Sequence, residues 1–572
     1  MRKYLQILPI TLICLLILNS CDLMKDLNFT VNPNPLVLQG DSVKFNVDVK
    51  VPEKGLKKKV KADLTAKLGS TEIGVWTIQG EKVTGNGKTI NFKPGGTANF
   101  EMILPYEEAM RAADLSISAR VYKGKKEKSK EAIPETKIAD ATIVTQLLVN
   151  NTFEVLSLQN ALNRSSDSTI TAKINFDKGK FDVKSKELKD DDVKNMIEWI
   201  KSNLTNPKIE INSIEISGYA SPDGESAKNE TLSKNRSIAG RKAMMGIFKK
   251  EKVEMFLDTN NYKLSDFGED FEGFKAQLAL TNSIDDKDKQ LFIRIIEMQS
   301  DLDKREEEMK NLGKSFTALE KEVFPAIRRS RIILNYTKKG WTDEELLNLS
   351  SSKPDTLTEE EILFTTENLM NDFNDKLNLL DFGSKKFPSS VRILNNYGVA
   401  LFYNGKFPEA LTALNAAKAI EENSAVFNNI SALQIRDGLR EEARNLLKSA
   451  SSNSSEDQKS AIAYNNAILD IMDGEYQSAE KGLSKKSFNK ALNAVLQNKL
   501  DEAVSILGGI DATDMTHYLS AIISMRKGEG VESVVANLNK AFAMNSDLKQ
   551  IAKEDREFVQ LFGESAFKDA VN

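Results

Sequence analysis

A set of small residues recurs at helical-repeat spacing along the C-terminal part of this chain, and that recurrence restricts the fold more than any other feature. Gly398, Gly405, Ala410, Leu414 and Ala417 set a frame, and Ser431, Gly438, Ala443, Leu447 and Ala450 repeat it 33 residues on. Ala467, Gly474, Ala479 and Leu483 repeat it after 36 more. Ala491, Ala503 and Leu507 form a shorter unit, and Ala521, Gly528, Val534, Leu538 and Ala541 form another. A unit of this length holds two antiparallel helices. The small residues let them cross closely, and the glycine sits in their turn. One hairpin cannot bury its apolar face alone, so the units are expected to stack into a solenoid with a concave surface.

Asn395-Asn396, Asn428-Asn429 and Asn465-Asn466 recur near the same place in three first helices. Two readings are open. The amides hold the backbone of an extended peptide, or asparagine fixes helix packing at this repeat position. The period of about 34 residues, with Gly405-Lys406-Phe407-Pro408-Glu409-Ala410-Leu411 as its clearest instance, resembles the tetratricopeptide repeat. The resemblance implies an array over 358–565 with an unidentified protein partner in its groove.

Composition narrows the chemistry. The 572-residue chain has one histidine, His517, and two cysteines. Zinc sites built on several histidines and Cys₄ metal sites are out of reach, and a Ser-His-Asp triad or Cys-His dyad would have to be built on His517 alone. His517, beside Tyr518 in a last-repeat helix, reads as a surface or packing residue. Lys+Arg 79 against Asp+Glu 83 leaves a net charge of −4, which argues against nucleic-acid binding by bulk charge. No catalytic residue, cofactor or metal is assigned, and binding or assembly is expected in place of catalysis.

Met1-Arg2-Lys3 is basic and Tyr4 to Leu18 is almost wholly apolar. That run falls short of the roughly 20 residues a membrane span needs and has the form of a secretory signal. Leu18-Asn19-Ser20-Cys21 resembles a bacterial lipobox, with Asn19 a departure from the usual pattern. The resemblance implies a signal over 1–20 and a lipid on Cys21. Cys14 would leave with the signal, so the exported chain needs no disulfide.

Over 21–150 the sequence reads as a lipid-anchored tether followed by a β-sandwich. Ser42 to Val49 and Leu115 to Tyr122 alternate apolar and polar residues with period two, and Pro33-Asn34-Pro35, Gly85-Asn86-Gly87 and Pro94-Gly95-Gly96 punctuate the strands. Over 166–338 the order is strand, helix, strand, helix. Ile170 to Asp177 and Ile209 to Ile216 are the strands, and Ser185 to Asn203 and Ser226 to Phe248 the helices. This is an α/β layer. A strand end feeding a loop and then a helix is a common place for a ligand site.

Gly218-Tyr219-Ala220-Ser221, followed by Asn229, Leu232-Ser233 and Arg236, resembles the OmpA-like peptidoglycan-binding domain. That family carries Gly-[His/Tyr]-Thr-Asp and then Asn-x-x-Leu-Ser-x-x-Arg. Lys173 to Asp177 is similar to its opening strand and Ile327 to Leu334 to its closing strand. The stretch 251–324 resembles a helical insertion found in the Bacteroidetes version. The resemblance implies a pocket for diaminopimelate, whose free end bears an ammonium and a carboxylate. Arg236 would fork onto the carboxylate. Ser221 stands where the family has aspartate, so Asp223, two residues on, is expected to supply the missing charge. Its other reading is a Pro-Asp-Gly turn residue. Asn229 is expected to order the loop and Gly218 to permit close backbone approach, while Arg328 and Arg329 flank the closing strand.

These expectations describe a multidomain outer-membrane lipoprotein on the periplasmic side. Acylated Cys21 would sit in lipid, the α/β domain would bind peptidoglycan, and the repeats would scaffold envelope proteins. The alternative is a component of secretion or surface-assembly machinery whose OmpA-like domain only docks.

Overall fold

The computed structural model describes residues 23–128 and 133–572, so the signal segment and Cys21 lie outside the described residues. The chain divides into two compact units. One is Met1–Gln159 together with Asn371–Asn572, and the other is Asn160–Met370. The β-rich N-terminal part therefore folds with the C-terminal helices, and the α/β unit is inserted between them in sequence.

In the first unit, strands Asn28–Asn32, Leu36–Gln39, Ser42–Val51 and Gly96–Pro105 build one sheet with Thr142–Ile143. Val60–Leu68, Thr71–Gly80, Lys88–Ile90, Leu115–Lys123 and Ile133–Ala139 build most of a second. Alternation drives the packing. Val43, Phe45, Val47, Val49 and Val51 are buried while Lys44, Asp48 and Lys50 face solvent. Trp76 stacks on Phe100 with ring centroids 5.0 Å apart.

The helical part of this unit is a run of hairpins: Val391–Tyr403 with Phe407–Ile420, Ser424–Arg436 with Arg440–Ser452, and Glu456–Met472 with Tyr476–Gly482. Phe488–Leu496 with Leu500–Leu507 and Asp514–Lys527 with Val531–Met544 continue it. Gly405, Gly438, Gly474 and Gly528 lie at φ +70, +81, +78 and +69, the left-handed geometry that glycine adopts without strain. At Gly398 a Cβ would sit 2.6 Å from Leu414 Cγ, so the helix crossing requires the missing side chain. The C-terminal segment of the unit containing these hairpins is Asn371–Asn572. The short helix Glu359–Phe364, which lacks the small-residue frame, belongs to the other unit.

The second unit has a four-stranded sheet in the order Ser165–Asn175, Arg329–Lys339, Ile209–Ala220, Tyr262–Glu269. Neighbours are antiparallel except the last pair, which is parallel. Helices Asp191–Asn203 and Ser226–Lys250 cover the face carrying Ile174, Ile214, Ile216, Ile332 and Leu334. The stretch 251–324 is not all insertion, because Tyr262–Glu269 is an integral strand. It sits at the sheet edge, and only Tyr262 of it is fully buried, so it lacks clean alternation. The helical insert follows it, with its own core of Phe274, Phe292, Phe316 and Phe324. Among the described residues, no helix is long and apolar enough to cross a membrane.

Candidate functional site

Two polar clusters stand out, one in each unit. The first is the asparagine row of the hairpin array. After the turn at Thr145–Leu148, residues 149–158 run without secondary structure along the first helices. In an extended chain the N–H and C=O of one residue point to the same side, and an asparagine amide offers one donor and one acceptor in one plane. The two match rung by rung. Asn489 Oδ1 accepts from Asn150 N at 2.7 Å and its Nδ2 donates to Asn150 O at 2.8 Å. Asn465 does the same for Glu154 at 3.0 and 2.9 Å. Asn429 does so for Leu156 at 2.7 and 2.8 Å, and Asn396 for Leu158 at 2.7 and 2.8 Å.

The preceding asparagines add support. Asn428 and Asn395 donate to the carbonyls of Glu154 and Leu156. They also accept from Asn465 and Asn429, tying one repeat to the next at 2.9 Å. Phe153 is buried with Phe427, Leu447 and Ile462. Both sequence readings of these amides therefore hold at once: they grip an extended backbone and they fix helix packing. The peptide they grip is the chain's own segment 150–158. Asn466 is the exception, donating to Ile462 O within its own helix. Asn489 escaped the sequence reading although it lies two residues before Ala491, as Asn396, Asn429 and Asn465 lie two before Gly398, Ser431 and Ala467.

The second cluster is at the end of strand Ile209–Ala220. A Cβ on Gly218 would lie 1.9 Å from Ser233 O, so the helix Ser226–Lys250 rests directly on strand backbone. Asn229 Nδ2 donates to Ser221 O at 3.2 Å, Gly224 O at 2.8 Å and Glu269 Oε1 at 2.8 Å, which pins the turn. Arg236 is fully buried. Its Nε, Nη1 and Nη2 donate to the carbonyls of Lys180, Tyr219 and Asp177 at 3.0, 2.8 and 3.2 Å. Burial, and then the neighbouring Arg328 charge, lower its pKa to about 10. The structure thus puts Arg236 under the turn, away from solvent, tying the 177–180 turn to the strand end at Tyr219.

Ser221 and Asp223 meet a different arginine. Arg328 donates from Nε to Ser221 Oγ at 3.0 Å and from Nη2 to Asp223 Oδ2 at 2.6 Å. Ser221 Oγ in turn donates to Asp223 Oδ1. The side chains of Arg328 and Asp223 are 7% and 5% exposed. Lys178 Nζ reaches the same Asp223 oxygen at 3.0 Å and Glu320 at 2.9 Å. Burial opposes the Lys178 charge, but the hydrogen bonds to Glu320 and Asp223 outweigh it and raise its pKa. Sequence reasoning missed Lys178 and Glu320, since a lysine in an Asp-Lys-Gly turn and an acid on an insert helix look like ordinary surface charges.

Two further groups border this turn. Arg329 pairs with buried Asp270 at 2.6 Å and lies over the Tyr219 ring, itself stacked on exposed Phe267. Glu269 is pushed up to about 7, chiefly by burial. Its Oε2 is a buried oxygen with no hydrogen-bond partner. Among the described residues, no three His, Cys, Asp or Glu side chains converge as metal ligands.

No family model matches the chain, and no curated protein matches it. Among solved structures, a tetratricopeptide repeat protein from Parabacteroides merdae ATCC 43184 is similar over 38% of this chain and 98% of that one, at 17% identity and a TM-score of 0.25. The stacked hairpins, with their turn glycines and small crossing residues, make the C-terminal part of this chain a tetratricopeptide-type repeat array.

Proposed function

We propose that the protein is a non-enzymatic envelope tether of the OmpA-like, peptidoglycan-binding kind. A lipid on Cys21 would hold it at the periplasmic side of the outer membrane, and the α/β unit would grip the wall without covalent chemistry. The observation that supports this is the pair Asp223 and Arg328, a nearly buried carboxylate and guanidinium 2.6 Å apart behind the turn. That pair is complementary to the free end of diaminopimelate, which carries one ammonium and one carboxylate. In this reading the ligand-facing arginine is Arg328, and Arg236 shapes the floor. The test is a titration of the protein with a diaminopimelate-containing stem peptide. Saturable binding is expected, lost in Asp223→Asn and Arg328→Met, and weaker for a stem with lysine in place of diaminopimelate. Equal binding by Asp223→Asn would sink the assignment.

A second reading, an assembly component whose α/β unit docks on protein alone, draws on the burial of Arg236, which its family's pattern would have facing the ligand. It predicts no retention on purified sacculi by a protein whose fold is intact. In either reading residues 150–158 occupy the asparagine row of the first four hairpins.

A further inference from the structure

Asp223 is 5% exposed, and the group that covers it toward solvent is the ammonium of Lys178, on a side chain 55% exposed. Chemically, Lys178 Nζ stands where the ammonium of an amino-acid ligand would stand. It is a primary ammonium, 3.0 Å from a carboxylate oxygen that Arg328 also holds. The second carboxylate in reach of Nζ is Glu320, 39% exposed on the insert. Arg328 uses Nε and Nη2 internally, so Nη1 is the donor group it has left for a ligand.

We propose that Lys178 is an internal occupant of the ammonium subsite, and that a zwitterionic amino-acid ligand binds by displacing it from Asp223. Glu320 keeps the displaced lysine, so its charge stays paired during the exchange. The ligand ammonium then takes the Asp223 oxygen, and its carboxylate meets Arg328 Nη1. The inference rests on the wall-binding reading above and adds a competitor to it. Lys178 sets affinity and specificity: a ligand lacking the ammonium has nothing to offer Asp223 and cannot repay the loss of the lysine.

The experiment is calorimetric titration of the full protein with a diaminopimelate-containing tripeptide, and with the same peptide acetylated on the free amine of its diaminopimelate. Lys178→Ala should bind the free-amine peptide about twice as tightly as the parent, the gain of removing a rim-exposed competitor. Lys180→Ala removes the same charge from the same turn and should leave affinity unchanged, because its side chain is exposed and does not reach Asp223. The acetylated peptide should gain nothing from Lys178→Ala. If the parent binds and Lys178→Ala binds equally or more weakly, or if Lys180→Ala gives the same gain, the displacement idea is overturned while wall binding stands. If neither the parent nor Lys178→Ala binds, wall binding and the displacement idea fall together.

Discussion

The asparagine groove and the arginine pocket share one feature: groups that an outside ligand would need are already engaged by the chain. They differ in how the occupant is held. In the groove a strap of ten residues is bonded through its backbone to four amides that belong to the first helices of four successive hairpins. Phe153 is buried beside it. Those bonds are lost together or not at all, so the groove behaves as interior. In the pocket the occupant is one ammonium on a half-exposed stem, with a second carboxylate waiting for it. Exchange there breaks one rim contact. A filled groove and a filled pocket thus make different statements, and the exposure of the occupant separates them.

The sharpest way to break that comparison is to ask whether Arg236 belongs to the fixed class or the exchangeable one. Its three donors hold the carbonyls of Asp177, Lys180 and Tyr219 with no exposure to water. Arg236→Ala strands those acceptors and leaves a cavity, so the α/β unit is expected to lose about 3–4 kcal/mol. Hydrogen exchange in the strand Ile209–Ala220 measures it. A variant that loses ligand binding with unchanged exchange would return Arg236 to the ligand-facing role.

Asn429→Ala is the matching test of the groove. Asn429 bonds both polar groups of Leu156 and donates also to Asn395. Its loss leaves a buried N–H and weakens two acceptors, a cost of about 2–3 kcal/mol. Denaturant unfolding of the sandwich-and-repeat unit should show it, together with new protease cleavage within 149–158. If the strap were as exchangeable as Lys178, unfolding would not change and a free 150–158 peptide would bind the parent protein.

Glu269 supplies a pH test of the pocket's rim. Its folded pKa of about 7 lies above the ordinary glutamate value of 4.5. The fold therefore disfavours its ionised form. Glu269 costs nothing below about pH 4.5, and the cost grows as pH rises from there to about 7 and then levels off. Glu269→Gln keeps an acceptor for Asn229 and removes the charge. The variant should match the parent at pH 4.5 and be more stable at pH 8, by something on the order of 2 kcal/mol. Parallel stability curves across that range would mean that the carboxylate is hydrated in the folded state.

Much of this architecture is legible in the residues, and the illegible parts have physical causes. The hairpins show because Gly398 and Ala410 must be small for helices to cross, and because Gly405 must take a left-handed turn. The sandwich shows because Val43 to Val51 alternate against a single core. The strap does not show. Phe153, Val155, Leu156 and Leu158 follow no single period, and a segment bonded only by side-chain amides needs no strand pattern of its own. The amides were readable as backbone binders, but not whose backbone they bind. Gly218, Ser221, Asp223, Asn229 and Arg236 do gather around one turn. What a residue pattern leaves out is which acceptors reach a guanidinium. Three carbonyls from two segments claim Arg236, and the carboxylate goes to Arg328.

The smallest expected effect bears directly on the comparison. If Lys178 only caps Asp223 from the solvent side, Lys178→Ala should change the stability of the α/β unit by less than about 0.5 kcal/mol, since an ion pair with one half-exposed member contributes little net free energy. Asp223 keeps Arg328 and Ser221 in that variant and is not left alone. Chemical denaturation of parent and variant at low and at high salt measures this, and salt should narrow even the small difference. A loss of several kcal/mol would place Lys178 beside Arg236 and the strap as a fixed part of the interior, and the pocket would then have no exchangeable member to release.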